Sequence, residues 1–194
     1  MRSVGYLQAL QVVEGAMSEA EAIADVAQAT RHYAKRQLTW FKKEKDIAWA
    51  YQQGVRLFAF DSEAELQKLA RSAPGARVFC RVLVDCDGAE WPLSKKFGCA
   101  PEMAKDLLRK AKEWGLEPYG LSFHVGSQQT DLDQWDRALG QVSQMFFALA
   151  EEGVDLRMVN LGGGFPARYR AEVQGIEAYC EAVGRALVRH FGNR

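Results

Sequence analysis

The 194-residue chain has no surplus of charge, with 25 Lys plus Arg against 25 Asp plus Glu. A nucleic-acid-binding face needs extra cations to neutralise phosphates, so this balance argues against nucleic acid as a partner. Long apolar runs are also missing. No stretch approaches the ~20 residues that cross a bilayer, and MRSVGYLQALQVVEG at the start lacks the extended apolar core of a signal peptide. The expectation is no membrane and a cytoplasmic location. Cysteine is sparse: Cys80, Cys86, Cys99 and Cys180 show no CxxC spacing, and the whole chain has 3 His. That argues against a zinc site and for reduced thiols. Nothing in the composition suggests disorder, collagen or coiled coil: 48% hydrophobic with 26% charged residues is an ordinary globular balance. The chain is also shorter than the roughly 250 residues of a complete (β/α)8 barrel.

One basic run does occur, from Arg31 to Lys45, interleaved with Tyr33, Trp40 and Phe41. It reads as a solvated helix face balanced by nearby acids. The preceding stretch is rich in Ala and Glu, with Ala20, Ile23, Ala24 and Ala27 at helical spacing and Ser18 three residues before Glu21 as a capping box. Residues 1–41 are therefore expected to be one or two helices without a strand.

From about Glu44 the rhythm changes. A short helix, DIAWAYQQ, ends at Gly54. The apolar run Val55–Phe60 follows, closed by Asp61-Ser62, which can cap the helix EAELQKLA. A β-branched run from Arg77 to Asp85 leads through a Gly- and Pro-containing loop to PEMAKDLLRKAKEW, with Pro101 in its first turn. A third strand spans Pro118–Val125, and a helix spans Leu132–Glu151. A fourth strand, DLRMVNL, runs into Gly162-Gly163-Gly164, and a last helix covers about Ile176–Arg189. Strand and helix alternate four times, which implies parallel strands covered by helices and hence an α/β fold. Spacing alone leaves barrel and open sheet undecided, although nothing like GxGxxG opens the first helix.

In such folds the carboxyl ends of strands line the binding crevice. One end is Ser122-Phe123-His124-Val125-Gly126-Ser127-Gln128, which offers a flat imidazole, a glycine permitting close approach and a hydroxyl. Another is Asn160-Leu161-Gly162-Gly163-Gly164-Phe165-Pro166, whose glycines can form an anion-binding nest. Alone, His124 reads as a core histidine and the glycines as a flexible turn. Together at successive strand ends they favour a phosphorylated ligand carrying an aromatic ring.

GLSFHVGSQ and VNLGGGFP resemble signature segments of the pyridoxal-phosphate-dependent ornithine/diaminopimelate/arginine decarboxylases, a family with an alanine-racemase-like barrel. RLFAFDSEAELQKLA, the strand around Arg81 and SKKFGC follow in the family's order, from near Lys42 to about Phe191. FDSEAEL, WPLSKKFG and FHVGSQ are most similar to bacterial ornithine decarboxylases. The resemblance implies a partial (β/α)8-type barrel with about four parallel strands over residues 42–194 and a helical extension over 1–41. It implies pyridoxal 5'-phosphate as cofactor. His124 would stack on the pyridine ring, Ser127 with Gly162, Gly163 and Gly164 would hold the phosphate, and Arg81 would sit beneath the cofactor near the ring nitrogen. Asp61 would order its strand end, and Lys96 would lie in a loop approaching the second subunit of a homodimer. The implied activity is decarboxylation of a small basic amino acid, ornithine to putrescine in polyamine biosynthesis.

Parts of the family pattern have no counterpart. Nothing before Lys42 resembles the first-strand segment that carries the family's Schiff-base lysine. Lys35, Lys42 and Lys43 are nearest by position, but exposed lysines stay protonated, so no catalytic residue is assigned. The acid that pairs with the pyridine nitrogen and the C-terminal β domain, both placed after GGGFP in the family, are also missing. Cys86-Asp87 matches the family's Cys-Asp pair only superficially, because it precedes His124; Cys86 reads as a loop-edge thiol. The expectation is the central part of a decarboxylase, inactive as this chain alone. The alternatives are a non-catalytic partner that dimerises with a complete decarboxylase or a regulator, and a non-covalent carrier of pyridoxal phosphate.

Overall fold

The computed structural model describes residues 6–41, 45–91, 97–168 and 172–192. The chain divides into two compact units, residues 1–46 and 47–194. In the first, helices α1 (Tyr6–Val13) and α2 (Glu19–Phe41) pack together. The capping box forms as its spacing predicts: Ser18 Oγ accepts the Glu21 N–H at 3.3 Å, and the Glu21 carboxylate accepts the Ser18 N–H at 3.0 Å. Helix α2 runs on through the basic stretch as far as Phe41. Lys42 and Lys43 lie outside the described residues, as do Lys96 and the side chain of Lys35.

The second unit opens with α3 (Lys45–Gln52), which begins at the boundary. Then follow β1 (Leu57–Phe60), α4 (Glu63–Ser72), β2 (Arg77–Arg81), β3 (Ala89–Trp91) and α5 (Pro101–Glu113). After them come β4 (Glu117–Ser122), β5 (Ser127–Gln129), α6 (Asp133–Glu151), β6 (Met158–Asn160) and α7 (Ile176–Phe191). Four strands form one parallel sheet in the order β1-β2-β4-β6. That sequential order is the winding of a barrel segment and not of a doubly wound sheet, whose strand order reverses.

Local chemistry accounts for the helix starts. Ser62 caps α4 by accepting the Glu65 N–H, and the Glu65 carboxylate accepts the Asp61 N–H at 3.2 Å. Pro101 stands in the first turn of α5, where its missing N–H costs nothing. Burial alternates along β2: Val78 and Cys80 are fully buried beneath the helices, while Phe79 and Arg81 are half-buried on the opposite face. Leu66, Leu108, Leu139 and Leu149 from α4, α5 and α6 complete the core with Trp135 and Tyr179.

Several expectations need revision: the third strand ends at Ser122, short of Val125, and the fourth covers only Met158–Asn160 of DLRMVNL. The run from Arg77 to Asp85 does not stay in the sheet to its end. Beyond Arg81 a single bridge pairs Val82 with Cys99, and Leu83 N–H donates to the Cys99 carbonyl at 2.9 Å. The expected plain loop around Gly88 instead contains β3, which pairs antiparallel with β5.

Candidate functional site

The sheet register lines up four strand ends. Phe60 pairs with Cys80, Arg81 with Ser122, and Ser122 with Asn160. Asp61, Arg81, His124 and the Gly162–Gly164 loop therefore stand in that order along the carboxyl edge, where parallel α/β folds bind ligands.

At the first end, the Asp61 carboxylate accepts the Gly98 N–H at 2.8 Å. Cys99, next along, donates its N–H to the Arg81 carbonyl at 3.0 Å. Asp61 thus orders its strand end by anchoring the Gly98–Cys99 segment against β2. The Arg81 guanidinium lies over the Phe97 ring, 5.4 Å from its centroid, an arrangement that stabilises a cation beside an aromatic face.

His124 is held on three sides. Its Nδ1 accepts the Gly126 N–H at 3.0 Å, which places the proton of the neutral ring on Nε2. Its carbonyl accepts from Cys86 Sγ at 3.5 Å, and the preceding Phe123 N–H donates to Asn160 on the next strand. Burial first, and the nearby Arg81 charge second, lower the imidazole pKa below its ordinary 6.5. The ring is therefore neutral at physiological pH. Cys86 is buried behind this turn and not at a loop edge, with its single S–H in reach of the Val84 and His124 carbonyls.

The three glycines differ in what they do. A Cβ on Gly162 would lie 2.1 Å from the Phe123 carbonyl oxygen, and one on Gly164 would lie 2.4 Å from that of Gly126. Both have positive φ, 68° and 108°. These two let the loop lie backbone-to-backbone on the histidine turn. Gly162 N–H donates to Asn160 Oδ1 at 2.9 Å. Gly163 rests against the imidazole, where a Cβ would stand 3.3 Å from Nε2. Among the described residues, the Gly163 and Gly164 amides take no protein acceptor. Ser127 opens β5 one residue beyond Gly126.

Three glutamines hold these turns and are not evident in the sequence. Gln128 clamps Ala167, and the fully buried Gln129 donates to the carbonyls of Asp87 and Val125, both at 2.9 Å, while accepting the Asp131 N–H at 3.0 Å. Gln134, also buried, donates to the Asp85 carbonyl. In a turn-like stretch, as for Gln128 and Gln129, or in the first turn of a helix, as for Gln134, glutamine reads as solvent-facing, so the sequence does not mark these bonds. Among the described residues every lysine lies on a helix. Those of α5 are engaged away from the rim: Lys105 with Glu102, Lys110 with Glu63, and Lys112 with the Gly153 carbonyl.

Comparison with known proteins places this geometry. The family described as pyridoxal-dependent decarboxylase, pyridoxal binding domain, matches residues 10–194, and so takes in most of the helical segment as well. The Decarboxylase flvG of Aspergillus flavus is 40% identical over 150 residues, covering 77% of this chain and 34% of that protein. The ornithine decarboxylase of Mus musculus is 34% identical over 150 residues, covering 77% and 32%. A crystal structure of lysine decarboxylase from Selenomonas ruminantium aligns with a TM-score of 0.68 at 35% identity, covering 75% of this chain and 38% of that one. The chain thus spans about a third of the length of the curated relatives it matches. Among the described residues no helix is long and apolar enough to cross a membrane.

Proposed function

We propose that this chain, which belongs to the family of pyridoxal-binding domains of the pyridoxal-dependent decarboxylases, holds pyridoxal 5'-phosphate along its strand-end rim. The Gly163–His124 contact is the observation that carries this reading. A neutral imidazole has a bare glycine, with no side chain, at its edge. A flat ring can approach there, and adjacent amides without protein acceptors point to an anion. The rim residues fit the cofactor on these grounds.

In this reading His124 presents its ring face to the pyridine. Its neutrality matters, because protonation of Nδ1 would break the Gly126 bond that orients the ring. The Gly163 and Gly164 amides and the Ser127 hydroxyl donate to the phosphate, while Gly162 serves the close approach of its loop to Phe123. Arg81, steadied by Phe97, places a fixed positive charge near the pyridine nitrogen. Bound there, the cofactor supplies an electron sink for the pair left when CO2 departs from an amino acid. The chain's own part is to bind, orient and screen.

The whole enzyme in which this domain works is read as a decarboxylase of a small basic amino acid, ornithine or lysine. The names of the relatives, ornithine decarboxylase and lysine decarboxylase, support that class. The test is equilibrium binding of pyridoxamine 5'-phosphate, which lacks the aldehyde and cannot attach to surface lysines. Wild-type chain is expected to bind it, and His124→Ala to bind about tenfold more weakly, the worth of one aromatic stacking contact. Equal binding by both proteins would remove His124 from the site.

A further inference from the structure

Gln128 is the one residue other than glycine with a left-handed backbone among the described residues, at φ 54°. That conformation disfavours side chains beyond Asn, Asp and Gly, so something nearby must hold it. Its side-chain amide does so. Nε2 donates to the Ala167 carbonyl at 2.9 Å, and Oε1 accepts the Ala167 N–H at 2.9 Å. The two bonds form a closed pair between positions 39 apart in sequence. The next residue reaches the same loop at a second point, with Gln129 N–H donating to the Gly164 carbonyl at 2.9 Å. Ser127 and Gln129 meanwhile keep their register opposite Trp91 and Ala89 in β3. The left-handed turn at Gln128 is what lets one side chain leave that strand and meet the glycine loop.

We infer that Gln128 is a positioning residue: it pins Gly162–Ala167 to the histidine turn, so that the Gly163 and Gly164 amides hold the shape that receives the cofactor's phosphate. The inference rests on the proposed cofactor site and deepens it. Glycine at 128 would adopt the same backbone with less strain, yet could not clamp. Glutamate could accept from Ala167 but not donate to it, and would bring a negative charge toward the phosphate. Asparagine is one methylene shorter and does not span the gap.

The experiment compares wild type, Gln128→Gly and Gln128→Ala in three measurements. These are the Kd for pyridoxamine 5'-phosphate, the Kd for pyridoxamine without the phosphate, and hydrogen exchange of the Ala167 amide with no ligand present. Both variants should bind the phosphorylated compound about tenfold more weakly, the worth of one to two neutral hydrogen bonds. Pyridoxamine binding should change less than about twofold on the same scale, and Ala167 should exchange faster. Gln128→Gly relieves strain, so it should melt no lower than Gln128→Ala. Phosphorylated-ligand binding by Gln128→Gly equal to wild type overturns the inference alone. Equal weakening toward both compounds also overturns it, because Gln128 would then serve the fold and not the phosphate. A wild-type chain that binds neither compound overturns the cofactor reading itself, and this inference with it.

Discussion

The backbone N–H of Gly126 donates to Nδ1 of His124 at 3.0 Å, so the turn that presents the imidazole is intact only while that nitrogen is unprotonated. The bond ties the chemistry of the strand end to pH. Burial and the Arg81 charge act in the same direction, holding the ring below its ordinary pKa of 6.5.

An NMR titration should therefore give His124 a midpoint below 6.5. The unfolded chain takes up this proton at a higher pH than the folded one. Between the two values the unfolded state binds more protons, so stability falls as pH drops from 6.5 toward the folded midpoint. As pH rises past 6.5 the dependence fades, because neither state then holds the proton. Arg81→Ala should move the midpoint up only part of the way, since burial is the larger cause. A midpoint at or above the ordinary value would contradict the environment described.

The glycine loop should separate stability from binding. Alanine at 162 or 164 puts a Cβ 2.1 or 2.4 Å from a carbonyl oxygen on a positive-φ backbone. Each should cost about 3 kcal/mol or more in urea unfolding. Alanine at 163 meets only the His124 ring edge at 3.3 Å. It should cost less than about 1 kcal/mol, yet weaken pyridoxamine 5'-phosphate binding measurably. Similar destabilisation by all three would show that the loop has one purely structural role.

Gln129→Ala removes a fully buried amide together with two donated bonds and one accepted bond. It leaves buried backbone groups without partners and a cavity besides. The loss should be about 2–4 kcal/mol by chemical denaturation. Thr130→Ala, one residue further along and exposed, should change stability by less than about 0.5 kcal/mol. Comparable losses at both positions would argue against a specific role for Gln129.

Much of this architecture is legible from local signals. Ser62 and Pro101 mark helix starts, and each marks its start through neighbours within a few residues. His124 and the triple glycine stand out because both follow apolar runs. Other features depend on contacts between distant segments. Val82–Asp85 looks like continued strand, but after the Val82 N–H, which still donates to Ser122, the chain turns to the Gly98–Cys99 segment held by Asp61. The β3–β5 pair joins Ala89-Glu90-Trp91 to Ser127-Gln128-Gln129, neither of which reads as a strand. Buried glutamines carry no periodic signature, because their burial follows from loop carbonyls that only the folded chain brings together.

The most direct test of the cofactor site is a crystal structure of the chain soaked with pyridoxamine 5'-phosphate. The pyridine ring is expected to stack on His124, with phosphate oxygens within hydrogen-bonding distance, ~3 Å, of the Gly163 and Gly164 amides and the Ser127 hydroxyl. A ligand bound away from the β4 and β6 strand ends, or seated there with its phosphate turned from the glycine loop, would contradict it.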